Sequence, residues 1–438
     1  MPVQNNRRLQ RAQAISPPSD KMALIRRYRR LFAIAAVVIP VLIFTPVTMH
    51  WVHGGDYTMH FSAAFSLLKH HPVSALINQQ LRINATSYPL YHLVFLAYWT
   101  TFFSIFQQMV SIGDQTERLI ANTVTAGTLA NLTFHVIMSL SLYYLLFNTL
   151  SKRAAPLKAA VISIALTAGL LLVTAINFTI PLDGKHYFGF ISLTPQHNPT
   201  VIAVKPFALL LCVYSLSLLQ AEDRFQPKLV AAAFILTVLT NLAKPTYAIC
   251  ILPVLMIFTL PVMLRKAWRK FAMLMLGVFL PMLICLGWQY LITYGDLSRG
   301  GIIWSPFSLV NMYSSFIAVK FILSILFPAV VYLAFFPLAR RSFALNFSWL
   351  VFGVSACYFY LFAESGNRFT DGNMGWGAMT ALFIVFFYSV VFLIEHWDTI
   401  WKSPKQRLTY QLCWVLFLVH VCNGIAWFNY LVHNTKYS

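Results

Sequence analysis

Apolar runs of about twenty residues, each closed by a short polar stretch, repeat along the chain from Leu31 to its carboxy-terminal end. A helix rising ~1.5 Å per residue needs ~20 apolar residues to cross bilayer hydrocarbon. The pattern therefore predicts spans near 31–52, 120–148, 159–180, 206–221, 229–243, 246–264, 271–293, 316–337, 343–362, 376–395 and 408–431. The expected fold is an all-α polytopic membrane protein of about eleven transmembrane helices, with one transmembrane domain over 31–438. Between the first two spans, Tyr57, Phe61, Ala64, Phe65 and Leu68 share one helical face, with Thr58, Ser62, Ser66 and Lys69 on the others. That spacing predicts a helix lying in the headgroup plane. A further apolar segment, 88–110, could cross or lie at the surface.

Composition agrees: 59% of residues are hydrophobic and 10% charged, which excludes a soluble globular domain and a disordered chain. The formal charge of +20 would suggest nucleic acid in a soluble protein, but here its distribution sets topology and no nucleic-acid partner is expected. Residues 1–30 form a basic cytoplasmic segment with Arg7, Arg8, Arg11, Lys21, Arg26, Arg27, Arg29 and Arg30, read as leading into an uncleaved anchor. If 88–110 stays on the outer side, 22 of the 32 Lys and Arg fall on the cytoplasmic side; if it crosses, the split is even. The surface placement is expected, making 53–118 a first external loop with two juxtamembrane helices. The six cysteines all fall in apolar runs, so neither disulfides nor a thiolate metal site is expected.

On the external side, His53-Gly54-Gly55-Asp56-Tyr57 places an acid directly after the first span. The glycines permit a sharp turn, and partial desolvation can raise the basicity of Asp56. Alternatively Asp56 simply caps the next helix. Lys205 before Pro206, Lys244 before Pro245, and Arg299 could each set a cation beside a lipid phosphate, or snorkel to headgroups. Gln196-His197-Asn198 and Asn241 could meet sugar hydroxyls. The segment from Glu364 to Gly377 gathers Glu364, Arg368, Asp371, Asn373 and Trp376 between two apolar spans. Carbohydrate sites use such amides and carboxylates with an aromatic face; a polar hairpin with an interfacial Trp is the alternative. His50, His53 and Asp56 have metal-like spacing, but the Gly pair breaks the helix between them.

The acid after the first span, the juxtamembrane helices, and the entry Ser87-Tyr88-Pro89-Leu90-Tyr91-His92 together resemble the GT-C superfamily of membrane glycosyltransferases, which use polyprenyl-linked sugars. That resemblance implies Asp56 as catalytic base or metal ligand, and a second acid after the third span, which Asp183 matches in Pro181-Leu182-Asp183-Gly184-Lys185-His186. No second carboxylate accompanies Asp183, so a divalent metal is not supported. The expectation is transfer of a sugar from a polyprenyl-phosphate donor to a glycan, lipid or protein acceptor at the external face of a bacterial inner or cell membrane. Asp56 would take the proton. Asp183, Lys185, His197, Lys205, Lys244, Arg299, Glu364, Arg368, Asp371, Asn373 and Trp376 would bind substrate. A cell-envelope polysaccharide polymerase or ligase is the alternative enzyme. A transporter or flippase ranks third, because transporters place ionisable groups at the midplane and carry inverted repeats.

Overall fold

The computed structural model describes residues 19–68, 87–109, 115–180, 182–294 and 301–434. Sixteen α-helices and two short strands order as α1 (Ser19–Trp51), α2 (Asp56–Ser66), α3 (Leu90–Met109), α4 (Gln115–Leu150), α5 (Pro156–Leu172), α6 (Pro199–Gln220), α7 (Pro227–Ala243), α8 (Thr246–Leu264), α9 (Trp268–Leu274), α10 (Leu280–Tyr294), β1 (Ile302–Trp304), α11 (Ser308–Tyr313), α12 (Ile317–Ala334), α13 (Phe336–Ala339), α14 (Phe343–Leu361), β2 (Phe362–Glu364), α15 (Gly375–Ile400) and α16 (Pro404–His433). A five-residue π-turn, Met275–Phe279, joins α9 to α10. Among the described residues, nine helical segments are long and apolar enough to cross a membrane. Two more of the expected spans, α5 and α7, form apolar helices of 17 residues each. The chain is an all-α polytopic membrane protein, its only described sheet being the antiparallel pair β1–β2.

α15 is the axis of the bundle. It is apolar all round, and 94% of its membrane-length window is buried, which is what a helix without a polar face must do. It packs against α4, α6, α8, α12, α14 and α16. The helices then alternate end to end. One end carries the basic turns, where Arg153 pairs with Asp398 at 2.8 Å. The opposite end gathers residues 53–68, 173–198, 301–316 and 362–374.

The expected span 159–180 ends as a helix at Leu172, because tertiary partners take over the amides that follow. Thr174 N donates to His420 O, Ile176 N to Leu323 O, and Phe178 N to the Asn423 side chain. Residues 173–198 thus form an irregular strap across the end of the bundle, its amides satisfied by α12 and α16.

α4, at 36 residues, is ~54 Å long, far beyond a ~30 Å hydrocarbon layer. Its second half lies beside α1: the Tyr143 hydroxyl reaches Tyr28 O at 3.3 Å, and the His135 ring stacks on Phe44 at 3.6 Å. α1 ends opposite Gly127, where an added Cβ would meet Val52 at 2.7 Å. α3 runs antiparallel to the first half of α4, with Tyr98 bonded to Thr133 at 2.8 Å and Asn122 to Trp99 O at 3.1 Å. Most of α3 therefore lies beyond the level at which α1 stops.

Candidate functional site

Asp56 opens α2 from a turn that only glycine adopts freely, with Gly55 at φ 60°. Gly55, not Asp56, occupies the cap position, so the cap alternative does not describe this carboxylate. Asp56 Oδ2 instead accepts from Asn198 Nδ2 at 2.6 Å, from the far end of the strap. Asn198 is itself the cap of α6: its Oδ1 accepts from Val201 N at 3.2 Å and from Thr200 Oγ1 at 2.7 Å. Lys244, immediately after α7, donates to Thr200 Oγ1 at 3.1 Å. A single chain of hydrogen bonds, Lys244 to Thr200 to Asn198 to Asp56, thus joins the cation to the acid across three elements.

Lys244 is 3% exposed. Its ammonium sits 5.1 Å from the Tyr88 ring centroid and 5.5 Å from that of Trp376, and no carboxylate among the described residues lies within ion-pair distance. Burial pushes its pKa down to about 8, with Asp56 and Glu364 pulling it back up and Arg368 opposing them. Tyr88 is held in place by Gln289 of α10. That amide donates to Ser87 O at 2.9 Å and to Asn241 O at 2.7 Å, pinning the entry of α3 to the end of α7.

Glu364, on β2, is 4% exposed and fully engaged. It accepts from the Tyr294 hydroxyl and the Asn373 amide and pairs with Arg368 at 3.0 Å. Asn373 Oδ1 in turn accepts from Trp376 Nε1 at 3.2 Å, which turns the indole toward Lys244. The His197 ring packs 5.5 Å from Trp376, and burial holds its imidazole down at about 4. Asp371, at the open side, is raised by partial burial and by Glu364, with Arg368 acting in the opposite direction. Asp56, His197, Lys244, Glu364, Arg368, Asp371, Asn373 and Trp376 therefore form one neighbourhood.

Three expected residues lie elsewhere. Asp183 pairs with Lys320 at 2.7 Å and accepts from Ser314 at 2.8 Å. Lys320 is fully buried and also donates to Lys185 O and Phe188 O, while Lys185 Nζ donates to Tyr313 O. Asp183 and Lys185 thus bind the strap to α12 within a closed network. Lys205 lies beneath the strap, donating to Leu193 O and lining a cavity of about 20 Å³ with His135, Thr194 and Gln196. Arg299 lies outside the described residues. Among those described, no group of three His, Cys, Asp or Glu could hold a metal ion, and His50 is engaged with Asn434 O at 3.1 Å.

Comparison with protein-family models, with curated proteins and with solved structures finds no match for this chain. The site is consequently read from its own chemistry. Sequence reasoning overlooked Thr200, Gln289 and Tyr294, and assigned no chemistry to Tyr88, His60 or His92. The visible signal for Gln289 was a single amide inside an otherwise apolar run, the kind of polar residue that membrane interiors retain only with partners.

Proposed function

We propose that this protein is an integral-membrane glycosyltransferase that moves a sugar from a polyprenyl-phosphate carrier to an acceptor hydroxyl at the outer membrane face. Lys244 carries this reading. An ammonium has three N–H donors and, among the described residues, this one gives a single hydrogen bond, to Thr200, which leaves two for an anion at a buried spot walled by Tyr88 and Trp376. A phosphate leaving a sugar gains negative charge in the transition state, and a fixed cation in low dielectric stabilises that charge more than the ground state. Asp56, with Oδ2 held by Asn198, keeps Oδ1 for the acceptor proton. Arg368, itself tied to Glu364, lines the open side, and Trp376 offers a face for the sugar ring.

The basic end of the bundle faces the cytoplasm in this reading, and all eleven expected spans cross, with α3 standing on the outer side against α4. The resemblance to GT-C enzymes supports the reaction class and implies inversion at the anomeric carbon. Purified protein in lipid nanodiscs, given radiolabelled polyprenyl-phosphate sugars and envelope glycan acceptors, is expected to form a labelled product that Asp56→Asn reduces by roughly 10²-fold or more. Absence of product with every such donor, or parental transfer by Asp56→Asn, would overturn the mechanism.

A further inference from the structure

The strap passes over a cavity of about 20 Å³ lined by Phe44, His135, Thr194, Gln196, Lys205 and Phe383, the rest of its wall being apolar. A water needs ~10–15 Å³, so this volume takes one small occupant. Its polar groups come from three elements: His135 from α4, Lys205 from the first turns of α6, and Thr194 and Gln196 from the strap itself. His135, Thr194 and Gln196 are buried, and Thr194 Oγ1 and His135 Nε2 have no hydrogen-bond partner among the described residues. Lys205 is half-buried; its Nζ donates to Leu193 O and sits 5.6 Å from the Phe383 ring centroid. None of the described carboxylates lies within ion-pair distance of it.

An ammonium carries three N–H donors and no acceptor. One goes to Leu193 O, so among the described residues two are left and the charge has no opposite partner. A cation held away from bulk water costs free energy unless it is paired and hydrogen-bonded. A water in the cavity would accept from the ammonium but bring no charge. A single-atom anion brings both, because it accepts from the ammonium, the Thr194 hydroxyl, the Gln196 amide and an N–H of the His135 imidazole, whatever their directions. We infer from this arrangement that the cavity beneath the strap is a binding site for one small monovalent anion of the chloride class.

Size decides the class. Phosphate, sulfate and carboxylates exceed a space that holds little more than one water. Anion binding here does not depend on the protein transferring sugar, since Lys205 and Thr194 stand apart from Lys244 and Asp56. It bears on Asp56 all the same, through the strap. Tyr57, next to Asp56, donates to Gln196 O at 3.0 Å and accepts from Asn131 Nδ2 at 2.6 Å, and Asn198 reaches the Asp56 carboxylate two residues further on. An anion that draws Lys205, Thr194 and Gln196 together therefore clamps the end of the strap from which Asn198 holds Asp56.

Calorimetric unfolding of the full chain in detergent tests this, with chloride replacing gluconate at constant ionic strength. The unfolding temperature is expected to stay level at low chloride and then climb with the logarithm of its concentration, as for one site on the folded state. Bromide should act only at higher concentration than chloride, and sulfate not at all. Lys205→Met, which keeps the length of the side chain, should remove the climb. Thr194→Val, which keeps the shape and loses the hydroxyl, should move it to about tenfold higher chloride, and decides the matter where Lys205→Met fails to accumulate. No climb in the parent protein would mean that the cavity takes water, and would overturn the anion site. A climb left unchanged in either variant would be a general effect of salt, and would overturn it equally.

Discussion

Raising the pH should weaken donor binding because Lys244 loses its charge. Its pKa of about 8 in the free protein reflects burial, offset by Asp56 and Glu364 and reinforced by Arg368. If only the ammonium binds phosphate, affinity is full below that value and falls as pH rises through it. The phosphodiester of the donor stays singly charged over the same range, so the loss belongs to the protein. One pKa unit corresponds to ~1.4 kcal/mol, so binding at pH 9 should be roughly tenfold weaker than at pH 7. Of the other titratable groups near the ammonium, Tyr88 is raised by burial, and His60, His92 and His197 are held down and neutral below this window, so none titrates between pH 7 and 9. Scintillation-proximity binding of a labelled polyprenyl-phosphate sugar in nanodiscs from pH 6.5 to 9.5 would follow the loss directly. Lys244→Arg stays charged throughout and should flatten the profile, whereas Lys244→Met should bind weakly at every pH. A flat parental profile, or a tenfold fall that persists in Lys244→Arg, would refute the assignment of phosphate to Lys244.

Other outcomes follow from the same geometry. Lys320→Met removes one partner of a buried pair and leaves Asp183 facing closed structure, so thermal unfolding in detergent should show a loss of ~3–5 kcal/mol, with Asp183→Asn partly compensating in the double variant. Arg368→Ala should abolish transfer while the protein remains in the membrane at parental abundance by immunoblot; normal product would return 364–377 to a polar hairpin. Gly424→Ala should fail to accumulate, since its Cβ would fall 1.5 Å from Leu172 O where α5 and α16 cross. In a cysteine-free background, an impermeant maleimide should label Thr101→Cys and spare Lys152→Cys in intact cells; the reverse pattern would invert the proposed orientation.

Period and length made the helices legible, and the charge asymmetry grouped their ends. Asp56 and the Glu364–Trp376 segment stood out because dense polarity beside an apolar run needs a reason. Long-range pairing was not legible. Lys320 finds its partner Asp183 137 residues away, a separation that carries no local signal. The premature end of α5 was equally hidden, because Val173 to Ile180 is apolar enough to continue a helix until His420, Leu323 and Asn423 claim its amides. Nothing in the sequence pairs His60 with His92, whose rings two different helices bring together.

The two 17-residue helices, α5 and α7, set a depth. At ~25 Å each they fall about 5 Å short of an average hydrocarbon layer, whereas α1, α4 and α16 overreach it. A crossing helix that short can be met by a local thinning of the lipid. If both helices cross, as proposed, the strap that follows α5 and Lys244 that follows α7 would sit at the bottom of that thinned patch. In the proposed orientation, a phosphate borne on a membrane-embedded chain would reach Lys244 without rising out of the headgroup layer, while an acceptor would approach from the aqueous side over Asp371 and Arg368.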